Sequence, residues 1–188
     1  MRMRDTEKEL VEMVLSGRSE AFEPLVTPYR QPLLALAYRL TRNWEDAKEV
    51  AQEAFLRAYK HLGRYDSSRS FRNWLFQIAA NEARDRARRK HRETAAMAEV
   101  ETKVKDGPSP ESGRAAREFR ADIEKCLSSL SHREREVFIL RDIEDLDIKE
   151  TAKILGLSSV SVRVHLSSAR RKIRETIRDK YPHLEVER

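Results

Sequence analysis

Residues 148–174, IKETAKILGLSSVSVRVHLSSARRKIR, decide the fold more than any other stretch of the chain. The stretch begins with a short amphipathic helical pattern and continues, after Gly156, with a segment rich in serine and arginine. Gly156 predicts a tight turn, because glycine reaches left-handed backbone angles at little steric cost. Ser158 or Ser159 can cap the helix that follows. The stretch therefore predicts a helix-turn-helix.

The apolar positions of these two helices agree with that prediction. The inner packing positions are Ile148, Ala152, Leu155, Leu157, Val162 and Leu166. The second helix of such a motif enters the major groove of DNA with its first turns. The residues that we expect to meet bases or phosphates are Ser161, Arg163, Val164, Ser167 and Ser168. Arg163 has the fork of donors that pairs bidentately with guanine.

Further along the same helix lie cations that we expect to meet phosphates: Arg170, Arg171, Lys172 and Arg174. An ordinary helical hairpin with a solvated basic face is the alternative interpretation. The cap, turn and small-residue positions together favour the DNA-binding one.

Upstream of this motif, the sequence predicts further helices with recognisable starts. Ser131 and Glu134 form a capping box, and Asp147 and Glu150 form a related one. A helix is predicted from about 115 to 129, and residues 93–114, which hold clustered Gly and Pro, are predicted to be a flexible linker. The chain is thus predicted to be all-α, with two small helical domains at 1–92 and 115–188.

The first of these domains begins with a helix over residues 5–16 that ends at Gly17. Three prolines, Pro24, Pro28 and Pro32, should break the helix that follows. An apolar stripe then resumes at Leu33, Leu36, Ala37 and Leu40. The best-formed helix starts at Asn43, a predicted N-cap, and is predicted to end at Gly63. Its apolar positions are Ala47, Val50, Ala51, Ala54, Phe55, Ala58 and Leu62.

A second candidate nucleic-acid surface lies on the next helix, which Ser70 can cap. It carries a dense basic run: Arg84, Arg86, Arg88, Arg89, Lys90 and Arg92. Phe71, Trp74 and Asn81 precede the run. Aromatic rings beside a cationic stripe suit single-stranded DNA, because bases stack on the rings while cations follow the backbone. The alternative is that Trp74 belongs to the core and the arginines are a solvated helix end.

Composition limits the function classes. Charged residues make up 37% of the chain, and the net charge of +6 favours an anionic partner. The single cysteine, Cys126, allows no intramolecular disulfide, and we interpret it as a small apolar residue on a helix. The start of the chain lacks the apolar core of a signal peptide, and no stretch is apolar enough to span a bilayer, so the protein is expected to be cytoplasmic.

The residues give no positive support for an enzyme, a metal site or a cofactor. The histidines show no metal-ligand spacing, and neither a phosphate-binding glycine loop nor a nucleophile elbow is present. An acidic face over residues 45–53, which carries Glu45, Glu49, Gln52 and Glu53, is interpreted from charge alone as a solvated surface.

Two long segments resemble the extracytoplasmic-function (ECF) sigma factors of bacterial RNA polymerase. NWEDAKEVAQEAFLRAYKHLGRYD with SFRNWLFQIAANEARDRARR resembles their region 2, and LSHREREVFILRDIEDLDIKETAKILGLSSVSVRVHLSSARRKIR resembles their region 4. The order of the segments also matches. The sequence departs from the family at Pro24 and Pro28, where a continuous helix is usual, and at His165 and Ser168, where arginine is common.

The resemblance implies a specificity subunit that carries core polymerase to promoters and is not itself an enzyme. It implies that the clamp helices of the largest polymerase subunit are bound by Asp46, Glu49, Val50, Gln52, Glu53 and Leu56. It further implies that the −10 element is opened and read by Asn81, Arg84 and the turn from Tyr65 to Phe71, with Trp74 and Arg88 beside them. The helix-turn-helix is implied to read the −35 element. An anti-sigma factor is the implied regulator.

Two other function classes remain open on the residues alone. A stand-alone helix-turn-helix regulator explains 147–174 but gives the first domain no purpose. A DNA-processing enzyme would need clustered carboxylates or a nucleophile beside the basic groove.

Overall fold

The computed structural model describes residues 2–96 and 126–180, and the chain divides into two compact units, Met1–Asp106 and Gly107–Arg188. Every regular element within the described residues is helical, which confirms the all-α prediction. Most of the predicted linker, and the predicted helix at 115–129 up to residue 125, lie outside the described residues.

The first unit is built from α1 (Arg2–Leu15), α2 (Phe22–Val26), α3 (Arg30–Thr41), α4 (Trp44–Lys60) and α5 (Phe71–Ala96). Helices α3, α4 and α5 pack against one another, and α1 packs on α2. Leu36 of α3, Ala54 of α4 and Leu75 of α5 are fully buried in the resulting core. Small alanines on α4 let the neighbouring helices approach closely.

The segment that holds the three prolines, between α1 and the first turn of α3, is not one continuous helix, as the sequence predicts. Pro24 lies in the short helix α2, and Pro28 is the middle residue of a 3₁₀ turn, Thr27–Tyr29. Pro32 occupies the first turn of α3, where a missing backbone N–H costs nothing. The residues around Pro24 and Pro28 are therefore short helical pieces rather than one continuous helix.

The ends of α4 confirm one prediction and correct another. The side chain of Asn43 accepts a hydrogen bond from the backbone N–H of Asp46 at 3.0 Å, so Asn43 is the N-cap. The helix ends at Lys60, however, and Gly63 lies inside a following 3₁₀ turn, Leu62–Arg64. The prediction that Gly63 ends α4 is wrong, because His61 is the C-cap and Gly63 lies two residues beyond it without a positive φ.

The second unit contains α6 (His132–Phe138), a π-helical turn (Ile139–Ile143), α7 (Ile148–Leu155) and α8 (Ser159–Lys180). Both predicted capping boxes are present, at Ser131 with Glu134 and at Asp147 with Glu150. Gly156, at φ 63°, makes the turn between α7 and α8. Cys126 is half-buried in a short helical stretch before α6.

Glu134 ties the start of α6 to the inner side of α8. Its carboxylate accepts hydrogen bonds from Lys172 Nζ at 2.7 Å, Ser168 Oγ at 2.6 Å and the backbone N–H of Ser131 at 2.8 Å. The ammonium of Lys172, followed by the Ser168 hydroxyl, lowers the pKa of Glu134 from 4.5 to about 2. The folded state therefore favours the ionised carboxylate.

Glu134→Gln should lower the free energy of unfolding of this unit at pH 7 by about 1 to 2 kcal/mol, because it weakens a capping box and an ion pair together. A depressed folded-state pKa stabilises above the unfolded pKa and ceases to do so as the carboxylate protonates. The difference between wild type and variant should thus shrink as the pH falls from about 4.5 toward about 2. Urea unfolding, monitored by the circular dichroism signal of the helices, measures this difference in the free energy of unfolding. Glu175→Gln, which removes an exposed pair with Arg171, should change little.

Candidate nucleic-acid and partner interfaces

The first candidate interface is the outer face of α8, the second helix of the helix-turn-helix. Ser158 caps this helix by accepting the backbone N–H of Ser161 at 3.0 Å. Val162, Leu166 and Ala169 turn inward and are buried, so residues at the intervening positions face outward. The exposed positions on the first turns include Val160, Arg163, Val164 and Ser167. This face has the size and position of a major-groove recognition surface.

Two exposed valines lie on this face, and sequence reasoning missed one of them. Val160 is 66% exposed and Val164, four residues later, is 62% exposed. Single exposed apolar side chains are common on protein surfaces, but these two lie together on the face predicted to meet DNA. The spacing of four residues from Val164 is the signal that could have identified Val160. Apolar side chains in the major groove contact the methyl group of thymine.

Replacing thymine by deoxyuridine, one position at a time, in a duplex bound by this helix should weaken binding about fourfold at a contacted position, because one methyl group is no longer buried. If Val160 or Val164 contacts that methyl group, the alanine variant of the contacting valine should bind the thymine and deoxyuridine duplexes equally well. Electrophoretic mobility shift titrations measure both affinities. Equal methyl dependence in wild type and both variants would contradict these contacts.

The remaining predicted DNA-binding residues of α8 differ in whether their side chains already pair with other residues of the protein. Among the residues that the structure describes, neither Arg163 nor Ser167 has a hydrogen bond or ion pair, so both are available to DNA. Ser168 and Lys172 are held by Glu134, and Arg170 forms a bidentate pair with Asp142 at 2.6 and 2.8 Å. The weaker contacts are Arg171 to Glu175 at 3.5 Å and Ser161 Oγ to Ser158 Oγ at 2.9 Å. DNA contacts by these residues stay predictions.

The second candidate interface is an aromatic cluster at the start of α5. The rings of Tyr65, Phe71 and Trp74 form a triangle with centroid distances of 5.3 to 5.7 Å. The Tyr65 hydroxyl donates to the backbone oxygen of Arg69 at 2.7 Å, which fixes the turn before the helix. Ser70 caps α5 by accepting the N–H of Asn73 at 3.3 Å. Half-buried Tyr65 and Trp74 keep part of their rings accessible for stacking.

Phe71 differs from the other two rings, because it is fully buried. It also lies 5.7 Å from the ring of Tyr29 in the core. The interpretation of Phe71 as a direct DNA contact is therefore corrected: its ring supports Tyr65 and Trp74 from beneath.

The basic run of α5 divides into two sets of side chains. Arg88 and Arg92 are exposed, Arg84 is half-buried, and Asn81 is exposed one turn earlier. Arg88 and Arg92, with Arg57, Asp85 and Arg89, line a surface cavity of about 620 Å³. Arg86, Arg89 and Lys90 instead reach carboxylates within the unit. Arg89 and Lys90 stay exposed despite their ion pairs, whereas Arg86 is half-buried, so the cations of the run differ in pairing more than in exposure.

The third candidate interface is the outer face of α4. Glu49 and Gln52 are exposed, Glu53 is half-buried, and Leu56 is 58% exposed among them. Asp46 is less accessible, at 15% side-chain exposure. An exposed leucine within a row of acidic side chains is typical of a surface that binds another protein.

Val50 does not belong to this face. It is 1% exposed and packs in the core between α4 and its neighbours. The interpretation of Val50 as a partner contact is corrected, because its side chain points away from the acidic side chains and supports them from within.

Within residues 2–96 and 126–180 no cluster of potential ligands is arranged to hold a metal ion. No helix in this part of the chain is long and apolar enough to cross a membrane. The features that remain are a major-groove recognition helix, an aromatic and basic surface, and an acidic face with an exposed leucine. Together they define a DNA-binding protein that also binds a protein partner.

Comparison with known proteins identifies the family. Residues 25–93 match Sigma-70 region 2, and residues 120–173 match Sigma-70, region 4. The ECF RNA polymerase sigma factor SigW of Bacillus subtilis is 31% identical over 92% of this chain and 97% of its own length. The RNA polymerase sigma-H factor of Pseudomonas aeruginosa is 30% identical over 92% of this chain and 94% of its own length.

A solved sigma factor structure is also similar to this chain. CnrH of Cupriavidus metallidurans, in complex with the cytosolic domain of CnrY, superposes with a TM-score of 0.63 at 28% identity, over 92% of this chain and 97% of that one. The chain belongs to the ECF group of sigma-70 family sigma factors, as its resemblance to regions 2 and 4 predicts.

Proposed function

We propose that this protein binds core RNA polymerase and directs it to promoters that carry a particular pair of −35 and −10 elements. The observation that carries the proposal is the presence of two separate DNA-facing surfaces together with the acidic face of α4, in a chain of the sigma factor family. RNA synthesis itself belongs to the polymerase, so this protein supplies specificity and no catalytic group. Its place of action is the cytoplasm, where polymerase and chromosome meet.

The acidic face of α4 is the proposed contact for the clamp helices of the largest polymerase subunit. Glu49, Gln52, Glu53 and Leu56 are the side chains that can reach a partner, and Asp46 is only partly accessible. Carboxylates at the rim speed and orient association, whereas a central apolar side chain contributes binding energy.

Residues 1–92, which lie within the first unit, are the proposed reader of the −10 element. Tyr65 and Trp74 offer rings on which an extruded base can stack, and Arg84 and Arg88 offer a cationic track for the backbone. Extruding a base costs a few kcal/mol, so rings held in place by Phe71 and by the Tyr65 hydrogen bond reduce what must be ordered on binding.

Residues 115–188, which lie within the second unit, are the proposed reader of the −35 element as duplex. Exposed Arg163 is the proposed contact for guanine, and exposed Val160 and Val164 precede and follow it along α8. We further propose control by an anti-sigma factor. The solved relative CnrH is bound to the cytosolic domain of CnrY, which supports a partner of that kind here.

Transcription by purified core polymerase on a library of promoter fragments tests the proposal. Initiation that appears only when this protein is added, from fragments that share two elements, is the expected result. No stable complex with core polymerase would overturn it. Tight and specific duplex binding by the isolated protein would favour a stand-alone regulator, and cleavage of DNA by the pure protein would favour a processing enzyme.

A further inference from the structure

Arg86 connects the basic helix α5 to the acidic face of α4. Its guanidinium lies with Nε and Nη2 each 2.9 Å from Asp46 Oδ1, and with Nη1 2.6 Å from Glu49 Oε2. Asp46 and Glu49 are one helical turn apart on α4, so a single planar fork spans two carboxylates on the same side of the helix. Lys90 adds a second cation at 3.3 Å from Asp46 Oδ2.

Partial burial of this cluster strengthens the electrostatic attraction between its charged groups. The side chain of Asp46 is 15% exposed and that of Arg86 is 30% exposed, whereas Glu49 remains 60% exposed. Water therefore screens the Arg86–Asp46 pair only in part. Glu49 is held from one side by Arg86 and still presents its other side to solvent. A lysine at position 86 could not span both carboxylates, because its charge sits at one point.

We propose that Arg86 is a positioning residue for the polymerase-binding face, and not a DNA contact as its place in the basic run predicts. It fixes the side chains of Asp46 and Glu49 in the orientation that the partner meets, so less side-chain freedom is lost on binding. The inference rests on the proposed role of α4 in binding core polymerase. It divides the basic run by partner: Arg86 serves the protein interface, and Arg88 and Arg92 serve DNA.

A second set of ion pairs connects α4 to α5 further along α4, beginning one turn after Glu49. Arg57 on α4 lies 2.8 Å from Glu53 and 2.9 Å from the buried Glu82 of α5, which also receives Arg89 at 2.8 Å. A second carboxylate of the acidic face, that of half-buried Glu53, is thus connected to α5 through Arg57. The two ties show that the orientation of the acidic face depends on α5 and not on α4 alone.

Equilibrium binding of the full-length protein to core polymerase tests the role of Arg86. Arg86→Gln should weaken binding about tenfold, and Arg86→Lys should recover only part of the loss. Arg18→Gln removes the same charge from an exposed position before α2 and should bind core polymerase like wild type. Arg88→Gln should instead lower promoter affinity in the assembled holoenzyme and reduce the slope of log affinity against log salt by about one.

A double-mutant cycle separates positioning from folding. In a Glu49→Gln background, Arg86→Gln should cost markedly less than in wild type, because the carboxylate that it orients has lost its charge. Unfolding followed by tryptophan fluorescence reports whether the variant remains folded. Wild-type or tighter binding by Arg86→Gln, or a loss that is unchanged in the Glu49→Gln background, would overturn the inference alone. Failure of the wild-type protein to bind core polymerase would overturn the proposed function with it.

Discussion

Replacing Leu56 by aspartate should weaken binding to core polymerase by roughly a hundredfold or more. Leu56 is 58% exposed on α4, so the substitution removes no core packing and should leave the fold intact. In the complex the new carboxylate would be desolvated beside other carboxylates, and an uncompensated buried charge costs about 3 kcal/mol or more. Equilibrium titration of labelled protein with core polymerase measures the change.

Leu15 offers a matched control for this substitution. It is 56% exposed, lies in the same unit and belongs to α1 rather than α4. Leu15→Asp introduces the same change in charge and polarity away from the acidic face, so its affinity for core polymerase should stay within about twofold of wild type. Equal losses in both variants, or retained binding by Leu56→Asp, would exclude Leu56 as the central apolar contact.

Replacing Glu82 by alanine should lower the free energy of unfolding of the first unit by about 3 kcal/mol. Its side chain is 4% exposed and lies between Arg57 and Arg89. Removing it leaves two cations facing each other without the carboxylate that compensates them, and it opens a gap between α4 and α5. Both arginines remain partly solvated, so the decrease in the free energy of unfolding should lie at the low end of the range for breaking a buried ion pair.

The chain has a convenient reporter for this measurement. Both of its tryptophans, Trp44 and Trp74, lie in the first unit, so urea unfolding followed by tryptophan fluorescence reports that unit within the full-length protein. Asp85→Ala changes the neighbouring, exposed carboxylate and should alter the free energy of unfolding by no more than about 0.5 kcal/mol. A Glu82→Ala midpoint equal to that of Asp85→Ala would show that the buried carboxylate is not needed.

The features predictable from sequence are those set by neighbours along the chain. Asn43, Ser131 and Asp147 cap helices through bonds to residues three positions later, and Gly156 reaches a left-handed turn that other residues rarely adopt. Each of these signals is complete within a few residues. The helix-turn-helix was therefore predictable almost to its boundaries.

The features that escaped prediction depend on packing between helices. Arg86 and Arg88 are two residues apart in one basic run, yet one reaches α4 and the other faces solvent. Two residues differ by about 200° around a helix, so periodicity separates the two side chains. It does not say which side of α5 meets α4, because that depends on how the two helices pack. Val50 illustrates the reverse case, since its place in the apolar pattern of α4 already favoured burial over the partner contact that the family resemblance implied.

The proposed recognition surface of α8 and the contacts that stabilise this helix lie on its opposite sides. Its inner side is anchored through Glu134 and the buried Val162, Leu166 and Ala169, whereas Val160, Arg163, Val164 and Ser167 contribute little to the fold. Substitutions at these four positions should therefore be nearly neutral for folding while they change the preferred duplex. Such a helix lets descendants of one gene acquire separate promoters without passing through unfolded intermediates, and it makes this protein a suitable scaffold for orthogonal transcription circuits.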